Sequence, residues 1–109
     1  MLGNVVVIEL NNNSKHQPLL EGEPVTCGMR SGMVRLEVGQ SCSEHSTNSY
    51  EEMLVFLAGA GQLIIDKKTP YEVGVGKISY IPPETIHYVK NTGKEPLIYT
   101  YCVTPANKA

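Results

Sequence analysis

The chain contains no run of lysines or arginines, no apolar stretch long enough to cross a membrane, and no Cys-x-x-Cys pair. Each gap removes a class of function. With a formal net charge of −2, and Lys67-Lys68 as its only basic cluster, it offers no electrostatic footprint for a phosphate backbone, so nucleic acid is set aside as a partner. Nothing approaches the ~20 consecutive apolar residues of a spanning helix, and Met1 to Asn4 followed by Val5-Val6-Val7-Ile8 lacks a basic leader with a signal-length apolar run. The expectation is a soluble, cytoplasmic protein with no membrane partner. Cys27, Cys42 and Cys102 are odd in number and unpaired in spacing, which argues against a disulfide framework or a zinc knuckle. They read as small buried side chains in a reducing compartment, with Cys42 the one nearest the candidate site described below.

What is present is a small amount of material for one core. At 109 residues the chain is expected to form a single domain over 1–109, burying roughly 65 % of the surface its unfolded form exposes, without staples. Periodicity yields short β-rich runs: Val5 to Leu10, Pro24 to Met29, Met33 to Val38, Glu52 to Leu57, Gln62 to Asp66, Lys77 to Ile81, His87 to Lys90 and Leu97 to Val103. Turn residues punctuate them, among them Gly59-Ala60-Gly61, Lys67-Lys68-Thr69-Pro70, Pro82-Pro83 and Asn91-Thr92-Gly93. No window of helical length carries an apolar stripe at a 3.6 period, so the fold class is all-β, a sandwich or barrel. Residues 1–24 read as an N-terminal strand and loop, with Asn11 to Gly22 as the loop and His16 a solvated side chain within it.

Along Glu52 to Leu57, Leu54 and Phe56 share a face with Glu52, yet Met53, Val55 and Leu57 on the other face are apolar too. A barrel of this size has little to cover both faces, so a homodimer is expected.

Chemistry concentrates at His45, Glu52 and His87. Two neutral imidazoles and one carboxylate suit a borderline divalent cation and leave positions for water or substrate. Spacing strengthens that reading. Gly39, five residues, His45, one residue, Thr47, four residues, Glu52, six residues and Gly59 follow one pattern; Gly76, five residues, Pro82, one residue, Glu84, two residues, His87, three residues and Asn91 follow a second. In both, the sequence resembles the cupin superfamily, whose motifs are G-(x)5-H-x-H-(x)4-E-(x)6-G and G-(x)5-P-x-G-(x)2-H-(x)3-N. Thr47 replaces the second His of the first motif and Glu84 a Gly of the second.

The resemblance covers about Met33 to Val103, with a motif core at 33–103, and implies a single-domain jelly-roll (double-stranded β-helix) barrel of the small cupin type-2 kind. It also implies a divalent transition metal (Fe, Mn, Ni, Zn or Cu) near one mouth, with His45, Glu52 and His87 as ligands and Thr47 at the fourth-ligand position or in contact with substrate. Glu51 fails the offset to Gly59 and should point to the other face. Glu84 at the Gly position implies an altered or strained turn.

Two functions remain open. As an enzyme, the chain would use three protein ligands and open metal positions, as in non-haem iron oxygenases or His2Glu zinc sites, to act on a small organic substrate as a dioxygenase or as an isomerase or lyase. Thr47 would hydrogen-bond the incoming ligand, and one or two of Tyr50, Tyr80, Tyr88, Tyr99 and Tyr101 would line the pocket. The alternative is a non-catalytic cupin that binds a sugar or metabolite with a weakened or missing metal. A blander arrangement has His45 and His87 as polar rim residues with Glu52 paired to Arg30 or Arg35.

Overall fold

The computed structural model describes residues 3–106; Met1, Leu2 and the last three residues of the 1–109 assignment lie outside it. Among these described residues nine strands follow in chain order: β1 (His16–Glu21), β2 (Arg30–Leu36), β3 (His45–Ser46), β4 (Tyr50–Ala58), β5 (Ala60–Ile65), β6 (Thr69–Gly74), β7 (Ile78–Ile81), β8 (Ile86–Lys90) and β9 (Leu97–Pro105). Among the described residues there is no helix, so none is long and apolar enough to cross a membrane. The strands form a five-stranded sheet, ordered β1-β2-β9-β4-β7, and a four-stranded sheet, ordered β3-β8-β5-β6, with every pairing antiparallel.

Period-2 alternation builds the interior. Glu52, Leu54 and Phe56 of β4 turn inward, beside Tyr99 and Leu97 of β9 and Leu36 of β2; Leu63, Val73 and Val89 face them from the smaller sheet. Glu52, Leu54, Val89 and Tyr99 also border the polar site, which adjoins this core. The hairpin from β4 to β5 requires Gly59. Its φ is 83°, and a Cβ would collide with the Pro96 carbonyl and come 2.9 Å from the Leu97 Cα. Asn91 explains its place in the second motif: it is 1 % exposed, and its amide donates to Leu36 O (3.0 Å) and Glu95 O (2.9 Å) while its Oδ1 accepts from Gly93 N (2.9 Å). A single side chain thereby closes the backbone of the loop before β9.

Four expectations are corrected. Val5 to Leu10 is not a strand: Val5 and Val7 are 94 % exposed, and the segment is held at its end by Gln17, which donates to Glu9 O and accepts from Asn11 N. β-propensity alone does not make a strand where no backbone ladder forms. Pro24 to Met29 is a turn, where Val25 N and Thr26 N both donate to Gly22 O and the Thr26 hydroxyl donates to Met29 O. Conversely, part of the expected Asn11–Gly22 loop is β1. Pro18 is tolerated there because β1 is an edge strand and bulges between Pro18 and Leu20. A strand, β6, likewise begins at Thr69, because the turn is made by Asp66 and Lys67 at φ 53° and 65°.

A candidate metal centre between the two sheets

His45 and His87 face each other directly across β3 and β8, with ring centroids 4.3 Å apart and planes at 62°. Glu52 reaches them from β4 in the opposite sheet, so the group exists only because the two sheets pack together. Ligand atoms of the three lie within 4.8 Å of one another. They sit in a cavity of about 480 Å³ whose walls include Val34, Leu54, Val89, Tyr99 and Val103.

Each imidazole is oriented by the backbone. His45 Nδ1 lies 2.9 Å from Ser43 O and His87 Nδ1 lies 3.1 Å from Thr85 O. A carbonyl can only accept, so both Nδ1 atoms carry hydrogen and both Nε2 atoms are left for the cavity, as metal-ligating histidines require. His87 Nε2 is 3.1 Å from Glu52 Oε1, with both residues buried. Burial opposes the charged imidazolium, but the Glu52 hydrogen bond, the Thr85 carbonyl and the Glu52 charge outweigh it and raise the His87 pKa above the ordinary value. Glu52 is paired with His87 and not with an arginine, since Arg35 bonds Glu37 at 2.7 Å. The bland rim arrangement is therefore not what is seen.

Thr47 is buried, and its hydroxyl is committed elsewhere. It donates to Pro82 O (2.7 Å) and accepts from Thr85 N (3.0 Å). With Thr47 N to Thr85 O and Glu84 N to Asn48 O, these bonds tie the loop before β4 to the loop before β8. Its one proton is engaged by the Pro82 carbonyl. Thr47 lines the cavity as the clamp between the strands that carry Glu52 and His87. Glu84 accepts the backbone its position demands, at φ 55°, a cost on the order of 1–2 kcal/mol.

Other side chains divide by strand parity. Tyr50, Tyr99 and Tyr101 line the cavity, while Tyr80 stands on the outer face, its hydroxyl donating to Glu51 at 2.9 Å. Burial, with Cys42 next in effect, drives the Tyr99 pKa far up, so Tyr99 stays neutral. Cys42 lines the cavity but its Sγ accepts from Val89 N at 3.2 Å, and Cys27 is exposed, contrary to the expectation of buried thiols throughout. Sequence reasoning missed two cavity residues. His16, expected to be solvated, shares a 2.8 Å hydrogen bond with the Tyr101 hydroxyl and stacks on its ring; Arg30 opens β2 at the rim. No sequence signal marked either, because both depend on the register of β1 and β2.

Comparison with known proteins agrees with this architecture. A family model described as "Cupin domain" matches residues 32–104. An uncharacterized protein of Methanocaldococcus jannaschii is 35 % identical over 68 residues, 62 % of this chain and 54 % of its own length, so the match spans about half of that relative. Among solved structures, a cupin protein of Bacteroides fragilis is similar with a TM-score of 0.82 at 18 % identity, over 98 % of this chain and 89 % of that one. A Cupin 2 conserved barrel domain protein of Salinispora arenicola is similar with a TM-score of 0.75 at 22 % identity, over 94 % and 92 % respectively. At these identities the likeness concerns the fold.

Proposed function

The chain belongs to the cupin family, and from that premise we propose that it is a metal-dependent enzyme acting on a small organic substrate, with His45, Glu52 and His87 as the metal ligands. The observation that carries the proposal is the pair of imidazoles whose Nδ1 atoms are held on Ser43 O and Thr85 O, so that both Nε2 atoms and the Glu52 carboxylate converge inside one cavity. The donor set, two nitrogens and one anionic oxygen, fits Fe, Mn, Ni, Zn or Cu and leaves coordination positions open. When bound, such a metal supplies Lewis acidity toward a substrate oxygen, or a site for dioxygen.

The chain's own residues do the rest. Glu52 gives up its bond to His87 and offsets cationic charge; Thr47 keeps the loops of β4 and β8 in register. Val34, Leu54 and Val103 exclude water around an apolar part of the substrate, and Tyr50, Tyr99 and Tyr101 add apolar faces with polar tips. Free positions at the centre and a cavity of substrate size support catalysis over passive binding.

The proposal includes a homodimer. Met53, Leu57, Ile78 and Tyr80 leave an apolar patch on the outer face of β4 and β7, at the free edge of the larger sheet. The apolar segment around Val5–Val7 is equally uncovered, and a second copy of the chain brings a cover for each.

Elemental analysis of protein purified without an affinity tag tests the centre. Near-stoichiometric metal is expected in the native chain and its loss in His45→Ala and His87→Ala. Unchanged metal content in both variants would overturn the assignment. A metal-loaded chain that gives ligand-dependent thermal shifts but no turnover of any of a panel of thiols, enediols and diketones would make it a binding protein.

A further inference from the structure

The cavity contains one charged group that the metal centre does not use. Arg30 pairs across β2 and β9 with Val103, and Val103 pairs across β9 and β4 with Glu52. Residues directly opposite in neighbouring strands project from the same face, so Arg30, Val103 and Glu52 make one row across the inner side of the larger sheet. At about 4.8 Å per strand, the Arg30 backbone stands roughly 10 Å from that of Glu52. The wall around that row is apolar, formed by Val103, Leu54 and Val34.

Among the described residues the Arg30 side chain makes no hydrogen bond and no ion pair, whereas Arg35, five positions on, is bonded to both Glu37 and the Asn12 carbonyl. Its neighbour across β1 and β2 is Glu21, which does not close an ion pair with it. The Arg30 stem lies over Gly22, where even a Cβ would come to 3.6 Å from its Cγ and Nε. The carboxylate inside the cavity, Glu52, is turned to His87. A guanidinium that borders an apolar cavity with no anion of its own is suited to a planar oxyanion, which it can grip through two parallel N–H donors. Beside it, Tyr101 keeps its phenolic hydrogen: burial first and the Glu52 charge next raise its pKa, against a lowering by Arg30.

We propose that the substrate of this cavity is a small organic carboxylate, its carboxylate held by Arg30 at the rim while its other, oxygen-bearing end lies at His45, Glu52 and His87. This assignment rests on the metal-centre reading and names the substrate class for it. It also fixes polarity, since the charged end of the molecule remains at the mouth and the reacting end goes inward.

Adipate and its monoamide, which differ by one charged end, test the assignment by calorimetry on the zinc-loaded native chain and on Arg30→Gln and Arg30→Lys. A carboxylate takes the zinc in both compounds, since the ion prefers an anionic oxygen to a neutral amide, so the far end, carboxylate or amide, reports on Arg30. Adipate should bind about tenfold more tightly than the monoamide to the native chain, Arg30→Gln should bring the two within about twofold, and Arg30→Lys should fall between, keeping the charge without the fork. Equal affinities in the native chain, or a preference that Arg30→Gln leaves intact, would overturn the assignment. Zinc content is read separately in each preparation. A chain that takes up no zinc refutes the metal centre, and the same adipate preference measured on the zinc-free protein then decides the role of Arg30 alone.

Discussion

Replacing Thr47 by valine removes one hydroxyl and leaves volume and β-branching nearly unchanged. The hydroxyl bonds Pro82 O at 2.7 Å and Thr85 N at 3.0 Å, in a residue only 6 % exposed, so water cannot replace it freely. Two hydrogen bonds at about 1 kcal/mol each, plus the cost of two backbone groups left short of a partner, give a loss of about 2–3 kcal/mol. For a domain of this size each kcal/mol moves Tm by roughly 4–8 °C, so Thr47→Val should melt about 10–20 °C lower. Calorimetry on chelator-treated protein reads this without any contribution from metal. Thr47→Ser, which keeps the hydroxyl, should recover most of the loss. Zinc affinity should fall in Thr47→Val as well, because the clamp aligns the loops that lead into Glu52 and His87. A loss in Thr47→Val below about 0.5 kcal/mol, within the range of an ordinary surface change, would refute the clamp.

Other consequences follow from the same geometry. Because the His87 pKa is raised in the folded chain, its contribution to stability is complete below the unfolded value of about 6.5 and is lost as pH rises through the folded value. Metal-free protein should thus melt lower as pH climbs through that window, while zinc affinity rises as the His87 proton leaves; a flat metal-free profile would contradict the His87–Glu52 pair. A Cβ at Gly32 would run into the Tyr101 hydroxyl and ring, so Gly32→Ala should cost about 1–3 kcal/mol in urea melts, and much less in a Tyr101→Ala background. Equal losses in both backgrounds would mean that the ring is not the obstacle. Thr47→His adds a nitrogen donor and deletes the clamp, so zinc retention should improve while the metal-free melting temperature drops; a variant that gains neither retention nor instability would place residue 47 elsewhere. Sedimentation velocity should find a dimer that Met53→Asp with Ile78→Asp converts to monomer, and a monomeric native chain would refute the interface.

Much of the centre was legible in the sequence because a backbone constraint and a chemical one coincide. Gly59 must be glycine where the β4–β5 turn presses on Pro96 and Leu97, and Asn91 offers the amide that bonds both Leu36 O and Glu95 O. Measured from such anchors, the offsets to His45, Glu52 and His87 fall within the first three residues of their strands, and period 2 decides that Glu52 faces inward while Glu51 meets Tyr80 outside. The short β-rich runs and the turn residues between them likewise determined an all-β chain.

What only the tertiary structure decided is everything that depends on a partner chosen at long range. Val5 to Leu10 has the composition of a strand but joins no sheet, while His16 to Glu21, with its proline, is a strand because it pairs with β2. The direction of the Thr47 hydroxyl follows from where Pro82 and Thr85 arrive, 35 and 38 residues later. Arg30 borders the cavity through its register with Val103 and Glu52, and a slip of one residue would have turned it to the outer face. Local sequence sets propensity and alternation, but which strand supplies the neighbour, and therefore which side chains share a cavity, is settled by the packing of the two sheets.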